Sequence, residues 1–175
     1  WRLADLGVCV KRYPTCYATH RSIDAMLGLV SQHKLKPEDV KEIRVHTGTT
    51  QKLMLRNTNP QTGLEAKFSM EFAMASALIA GRVSLSELTD EFVSRPDVGA
   101  TFARVHCTTT DEIMDGDQPF APSDKVSVVL ASGQVLEHAP VVHAKGSWQR
   151  PLSREELKDK FMDCATRVFK RGQAA

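Results

Sequence analysis

The sequence predicts an α+β fold, in which helices pack on one face of a small, mainly antiparallel sheet. Three observations carry that reading. Helical and strand-like patterns are mixed without a regular strand-helix repeat, which argues against a doubly wound or barrel architecture. Apolar runs at residues 125–130 and 134–139 flank Ser132-Gly133, a hairpin signature. No glycine-rich phosphate fingerprint joins a strand to a helix.

Taken in order, residues 1–10 read as a strand running directly into a core. With Trp1 in place of a methionine, this predicts that the chain is a piece of something longer. Pro14 stops that strand, and Thr15 and Thr19 are placed to cap a following helix. Over residues 19–33, Ile23, Met26, Leu27 and Val30 recur at helical spacing, and Lys34 and Lys36 suit a helix C-terminus. A turn at residues 36–39 leads into a half-buried strand over 40–47, with Val40, Ile43 and Val45 apolar and Gly48 ending it. Polar composition over 49–63, with Asn57, Asn59 and Pro60, predicts an irregular loop.

Residues 64–80 predict one long apolar helix with Phe68, Phe72, Ala75 and Ile79 on a stripe. Apolar residues cover much of its circumference, which places it centrally. Ser84 and Glu87 stand in capping-box register for a short helix reaching Val93. Residues 98–109 begin as a helix and pass into a strand around 104–107, and residues 111–123 are acidic and turn-rich. After the hairpin, a loop with His143, Gly146 and Trp148 precedes a second capping box, Ser153 with Glu156. The terminal helix that follows is expected to bury Leu157, Phe161, Cys164 and Val168.

A chain of 175 residues, 42% apolar and 25% charged, can bury one substantial core, so residues 1–175 are expected to form a single domain. A net charge of +2, spread evenly, gives no support to a nucleic-acid partner and leaves an anionic small molecule open. Cys9, Cys16, Cys107 and Cys164 form no C-x-x-C pair, which reads as free thiols in a reducing, cytoplasmic setting. No apolar run approaches a membrane span, and no leader precedes Trp1. His33, His46, His106, His138 and His143 show no metal-ligand spacing, since Pro140 breaks any helical face shared by the last two. No metal and no cofactor are expected. No Ser-His-Asp or Cys-His pattern supports hydrolysis.

The chemistry concentrates in residues 11–25, where Lys11, Arg12, His20 and Arg21 surround a proline turn at the start of a helix. Fixed cations and helix-terminal N–H groups together suit a bound carboxylate. The same cations read equally well as solvated surface charges. His20 at a helix start is expected to be neutral and proton-accepting, with Asp24 one turn on to orient or pair with it; a packed, structural histidine is the alternative. Cys16 can donate a proton, Tyr13 and Tyr17 carry phenolic donors, and Lys67 has Glu65 nearby as an ion-pair partner.

Three blocks give the chain a wider resemblance. Lys11-Arg-Tyr-Pro-Thr-Cys-Tyr-Ala-Thr-His20, Pro60-Gln-Thr-Gly-Leu-Glu-Ala-Lys-Phe-Ser69 and Arg150-Pro-Leu-Ser-Arg-Glu-Glu-Leu157 with Lys160-Phe161 resemble, in order and spacing, the C-terminal, lid-like domain of the MmgE/PrpD family. The resemblance implies a cofactor-independent lyase or isomerase acting on a di- or tricarboxylate. Dehydration of a 2-methylcitrate-like acid, in propionate metabolism, is the foremost reaction; decarboxylation and epimerisation follow closely. It also implies that Lys11 acts at the active site and that a site lies near Lys67; the residues themselves add His20 as a catalytic candidate and Arg12, Cys16, Arg21 and Lys52, with Lys67, as substrate-binding candidates. Some relatives carry histidine where Cys16 stands, so the acid-base role implied there does not carry over directly; others carry tyrosine where Lys52 stands, and if that loop lines the pocket, substrate preference should differ. A helical N-terminal domain completes the cleft in such enzymes, and the chain alone is expected to be inactive and to self-associate or bind that partner. The alternative is a non-catalytic binding module that keeps the fold.

Overall fold

A computed structural model describes residues 7–114 and 119–170. Its centre is a four-stranded sheet of β1 (Val40–Gly48), β2 (Val105–Thr110), β3 (Lys125–Leu130) and β4 (Val135–Glu137), in the order β2-β1-β3-β4. β1 runs antiparallel to β3 and β3 to β4, while β1 and β2 are parallel, so the sheet is mixed with two of its three pairings antiparallel. The parallel pair needs a crossover, and the helices between residues 49 and 104 supply it. Val40 and Ile43 are three residues apart yet both buried, because the β1–β3 register shifts between Val40 and Glu42 and restores the alternation. The hairpin joining β3 and β4 turns at Gly133, whose φ of +88° suits glycine.

Two helices form the layer on the sheet: α1 (His20–His33) packs on β3 and against α4 (Met70–Ala80). Ile23, Met26 and Leu29 of α1, Ile43 and Val45 of β1, Met70 and Met74 of α4 and Val126 and Val128 of β3 share the main core. The far side of α4, with Phe72 and Ala75, meets Val93, Val98 and Phe102 in a second cluster. α4 is therefore buried on both sides, as its all-round apolar pattern predicts. α1 ends at Lys34, which adopts the left-handed conformation itself with φ +53°. Among the described residues no helix is long and apolar enough to cross a membrane.

Several elements differ from expectation. Residues 49–63 are not all loop, because α2 (Thr49–Met54) forms directly after β1. The long helix expected over 64–80 is two, α3 (Gly63–Ala66) and α4, with Ser69 extended between them and its hydroxyl accepting Phe72 N–H. Asn57 fixes the break by donating to the Glu65 carbonyl through its side chain (2.9 Å) and to the Phe68 carbonyl through its backbone (3.2 Å). Ser84 and Glu87 do not start a helix: Glu87 instead accepts the Ser84 N–H and hydroxyl and pairs with Arg82. The helix there is the single turn α5 (Asp90–Val93), followed by α6 (Pro96–Phe102). α7 (Arg154–Ala165) carries the expected Ser153–Glu156 capping box, yet Leu157, Phe161, Cys164 and Val168 are all exposed. Residues 7–10 are irregular rather than a strand; residues 1–6 of that expected strand, and 115–118 of the turn-rich stretch, lie outside the described residues.

Candidate functional site

The segment from Gly7 to Thr19 crosses the top of α1 and is clipped at each step. Val10 N–H donates to the Gly146 carbonyl (2.8 Å), an approach that only glycine permits, since a Cβ at position 146 would lie 2.1 Å from the Val10 carbonyl oxygen. Arg12 reaches Glu156 of α7 (2.7 Å) and lies over the Tyr13 ring. The Tyr13 hydroxyl donates to Asp24 Oδ1 (2.6 Å), while Asp24 Oδ2 accepts Lys145 N–H (2.6 Å) and the Arg150 guanidinium (3.1 Å). Asp24 therefore anchors the 143–150 loop and does not hydrogen-bond to His20. Thr15 and Thr19 do not cap α1 as expected: their hydroxyls bond one another (2.9 Å), and Thr19 also donates to the Cys16 carbonyl (2.8 Å).

His20 is fully buried behind this segment. Its ring meets Tyr13 edge-on (5.1 Å between centroids) and Tyr17 at a tilt (4.9 Å), and Tyr17 in turn stacks on Phe120. Neither ring nitrogen has a hydrogen-bond partner. Burial lowers its pKa to about 4, with the positive charges of Lys11 and, more weakly, Lys160 acting in the same direction. The backbone at Thr15 and Tyr13 pulls the other way from positions that fall short of hydrogen-bond geometry. The imidazole is thus neutral near pH 7. Burial leads this shift, with Lys11 next, rather than the position at a helix start from which the sequence predicts a neutral ring. Burial also raises the Tyr13 phenol, helped by the Asp24 carboxylate, and the Tyr17 phenol.

The candidate residues separate into two groups. Lys11 is exposed with no hydrogen-bond or ion-pair partner among the described residues, and its charge bears on His20. Cys16 is half-buried, and its N–H donates to the Lys67 carbonyl (2.8 Å), which brings the α3–α4 junction beside the segment. Lys67 makes no ion pair with Glu65, whose carboxylate accepts Gln61 N–H instead. α2 packs against the Tyr17–Thr19 turn and carries Lys52, paired with Glu71 at 3.0 Å. Cys16, Lys67 and Lys52 thus share one neighbourhood, to which Lys11 is tied only through the charge it exerts on His20.

Arg21 is placed differently. It is buried, with its guanidinium on Asp124 Oδ1 (2.8 Å) and on the carbonyls of Ala121 (2.8 Å) and Val142 (3.3 Å). Asp124 also accepts Ser22, Thr47 and Gln51. Burial pushes this carboxyl above its usual range while Arg21 and the hydroxyls pull it back, and four donors converging on it describe the ionised form. Arg12, likewise, is engaged by Glu156. Asp124, Glu156 and Lys160 were not singled out as site or supporting residues by sequence reasoning; only the block containing Lys160-Phe161 gave any signal. Among the described residues, no three or more His, Cys, Asp or Glu side chains gather as a metal centre requires.

Comparison with known proteins places this geometry. The profile of the MmgE/PrpD C-terminal domain matches residues 13–175. Cis-aconitate decarboxylases of Homo sapiens and Mus musculus are each 25% identical to the chain, over 97% of its length and 35% of theirs. The chain thus spans about a third of the length of the curated relatives it matches. With the match running from Tyr13 to the last residue over an α+β core, the chain belongs to the MmgE/PrpD family, of which it carries the C-terminal domain.

Proposed function

We propose that this domain supplies the cationic wall of a lyase active site acting on a di- or tricarboxylate, completed by a helical region. The observation that carries the reading is Lys11: an exposed ammonium without a partner among the described residues, whose charge bears on a buried neutral imidazole. Loss of a carboxyl or a proton beside a carboxylate leaves negative charge on the substrate, and a fixed cation stabilises it as it develops. His20 holds the Tyr13 and Tyr17 rings that shape the wall and acts as a positioning residue, because a fully buried ring does not touch substrate.

Apolar side chains flank the segment on elements near it, and they support the completing partner. Leu53, Leu64 and Phe68 lie on or beside α2 and α3, with Leu157 and Phe161 on α7. Exposed apolar residues beside an incomplete site are those a docking region covers. The relatives favour decarboxylation of a cis-aconitate-like acid. Dehydration of a 2-methylcitrate-like acid is the reading the sequence blocks favoured.

Assays of cis-aconitate decarboxylation, 2-methylcitrate dehydration and iminodisuccinate epimerisation test this. The 175-residue chain should turn over none of them, and a polypeptide extended by the helical region should turn over one. Lys11→Gln should lower that activity by about 10²- to 10³-fold, the size seen when one charge-stabilising donor is lost. Turnover by the 175-residue chain, or full activity of the extended Lys11→Gln enzyme, contradicts the proposal.

A further inference from the structure

The closing helix carries a second lysine treated by the fold much as Lys11 is. Glu156 holds α7 against the Lys11–Arg12 segment through Arg12 (2.7 Å) and against the 143–150 loop through Lys145 (3.0 Å). Lys160 follows Glu156 by four residues, so it lies on the same helical face about 6 Å further along. It is half-buried and has no partner among the described residues. The two carboxylates at helical spacing from it are already engaged, Glu156 by Arg12 and Lys145 and Asp163 by Leu85 N–H and Arg167. The charges of Lys11 and Lys160 both bear on the His20 ring, whose nitrogens are buried and unpartnered.

We propose that Lys160 is a second carboxylate-binding cation of the Lys11 site, and that the two lysines select acids with two or more carboxylates over monocarboxylates. The inference rests on the reading of Lys11 as a carboxylate-binding residue. A half-buried ammonium with no counterion among the described residues, as at Lys160, is costly, and the exposed Lys11, whose charge bears on the same ring, repels it. A dicarboxylate relieves both ammonium groups with charge-assisted hydrogen bonds, whereas a monocarboxylate relieves one. The Arg12–Glu156–Lys145 clip keeps the cations on either side of it from collapsing onto a shared protein carboxylate.

Titration of the chain with tricarballylate, an unreactive tricarboxylate, and with butyrate, followed by amide chemical shifts at constant ionic strength, tests this. Lys160→Gln should weaken tricarballylate about tenfold, the cost of one ionic contact, and leave butyrate unchanged. Lys11→Gln should weaken both ligands, and Lys160→Arg should restore tricarballylate. Lys158→Gln, which removes an exposed charge from the same helix, should change neither. If Lys160→Gln binds tricarballylate as the parent does while Lys11→Gln does not, the Lys160 inference fails and the Lys11 reading stands. If Lys158→Gln weakens it equally, the effect is net charge and the inference fails. If the parent itself does not prefer tricarballylate to chloride, both fail.

Discussion

Lys11 and Arg21 lie ten residues apart in one cationic motif, and the fold treats them in opposite ways. Arg21 is 6% exposed, with its donors on one carboxylate and two backbone carbonyls. Lys11 faces solvent with no hydrogen-bond or ion-pair partner among the described residues, and its charge bears on the buried His20. A guanidinium whose donors are filled by Asp124, Ala121 and Val142 stabilises the packing of α1 on the sheet and has little left to offer a ligand. An ammonium that folding leaves unsatisfied is available to one. Cationic residues in a sequence motif therefore divide by the carboxylates that tertiary structure brings to them, and those carboxylates lie far away along the chain.

The largest effect should come from breaking the satisfied side. Asp124→Asn removes the only carboxylate on Arg21 among the described residues, and stranding a buried cation costs about 3–5 kcal/mol. Urea denaturation should show that loss, and a change below about 1 kcal/mol would erase the contrast between the two cations.

A somewhat smaller effect should appear at His20 on acidification. Its folded pKa of about 4 lies below the ordinary value of 6.5, so between these values the unfolded chain binds a proton that the folded chain refuses. This contribution to stability is complete above pH 6.5 and falls away as pH drops toward 4, by on the order of 3 kcal/mol. Urea midpoints measured across that range should decline more steeply in the parent than in His20→Gln. Parallel declines would mean that the ring is not held neutral by burial.

The comparison also explains what could be read in advance. The strands of the hairpin, β1 and the central α4 follow from alternation and all-round apolarity, patterns local to each segment. The break between α3 and α4 follows from Asn57, outside the segment it interrupts, so periodicity over 64–80 carried no sign of it. α7 was legible as an amphipathic helix, but amphipathicity does not say what the apolar face meets, and Leu157 and Phe161 stay exposed. At the site, the 11–20 segment was legible from its clustered cations and turn residues. The Arg21–Asp124 pair was not, because its partners are 103 residues apart and nothing local marks Asp124. The Asp24 carboxylate likewise serves Tyr13 and the 143–150 loop, a partner that helical spacing from His20 could not reveal.

The most direct test of the contrast is Lys11→Gln, read twice on the same sample. Urea denaturation should leave stability within about 0.5 kcal/mol of the parent, as for an exposed residue outside any network. Amide-shift titration should show tricarballylate bound more weakly than by the parent. Undiminished binding at unchanged stability would contradict the account, because the unpaired cation would then be an ordinary surface charge.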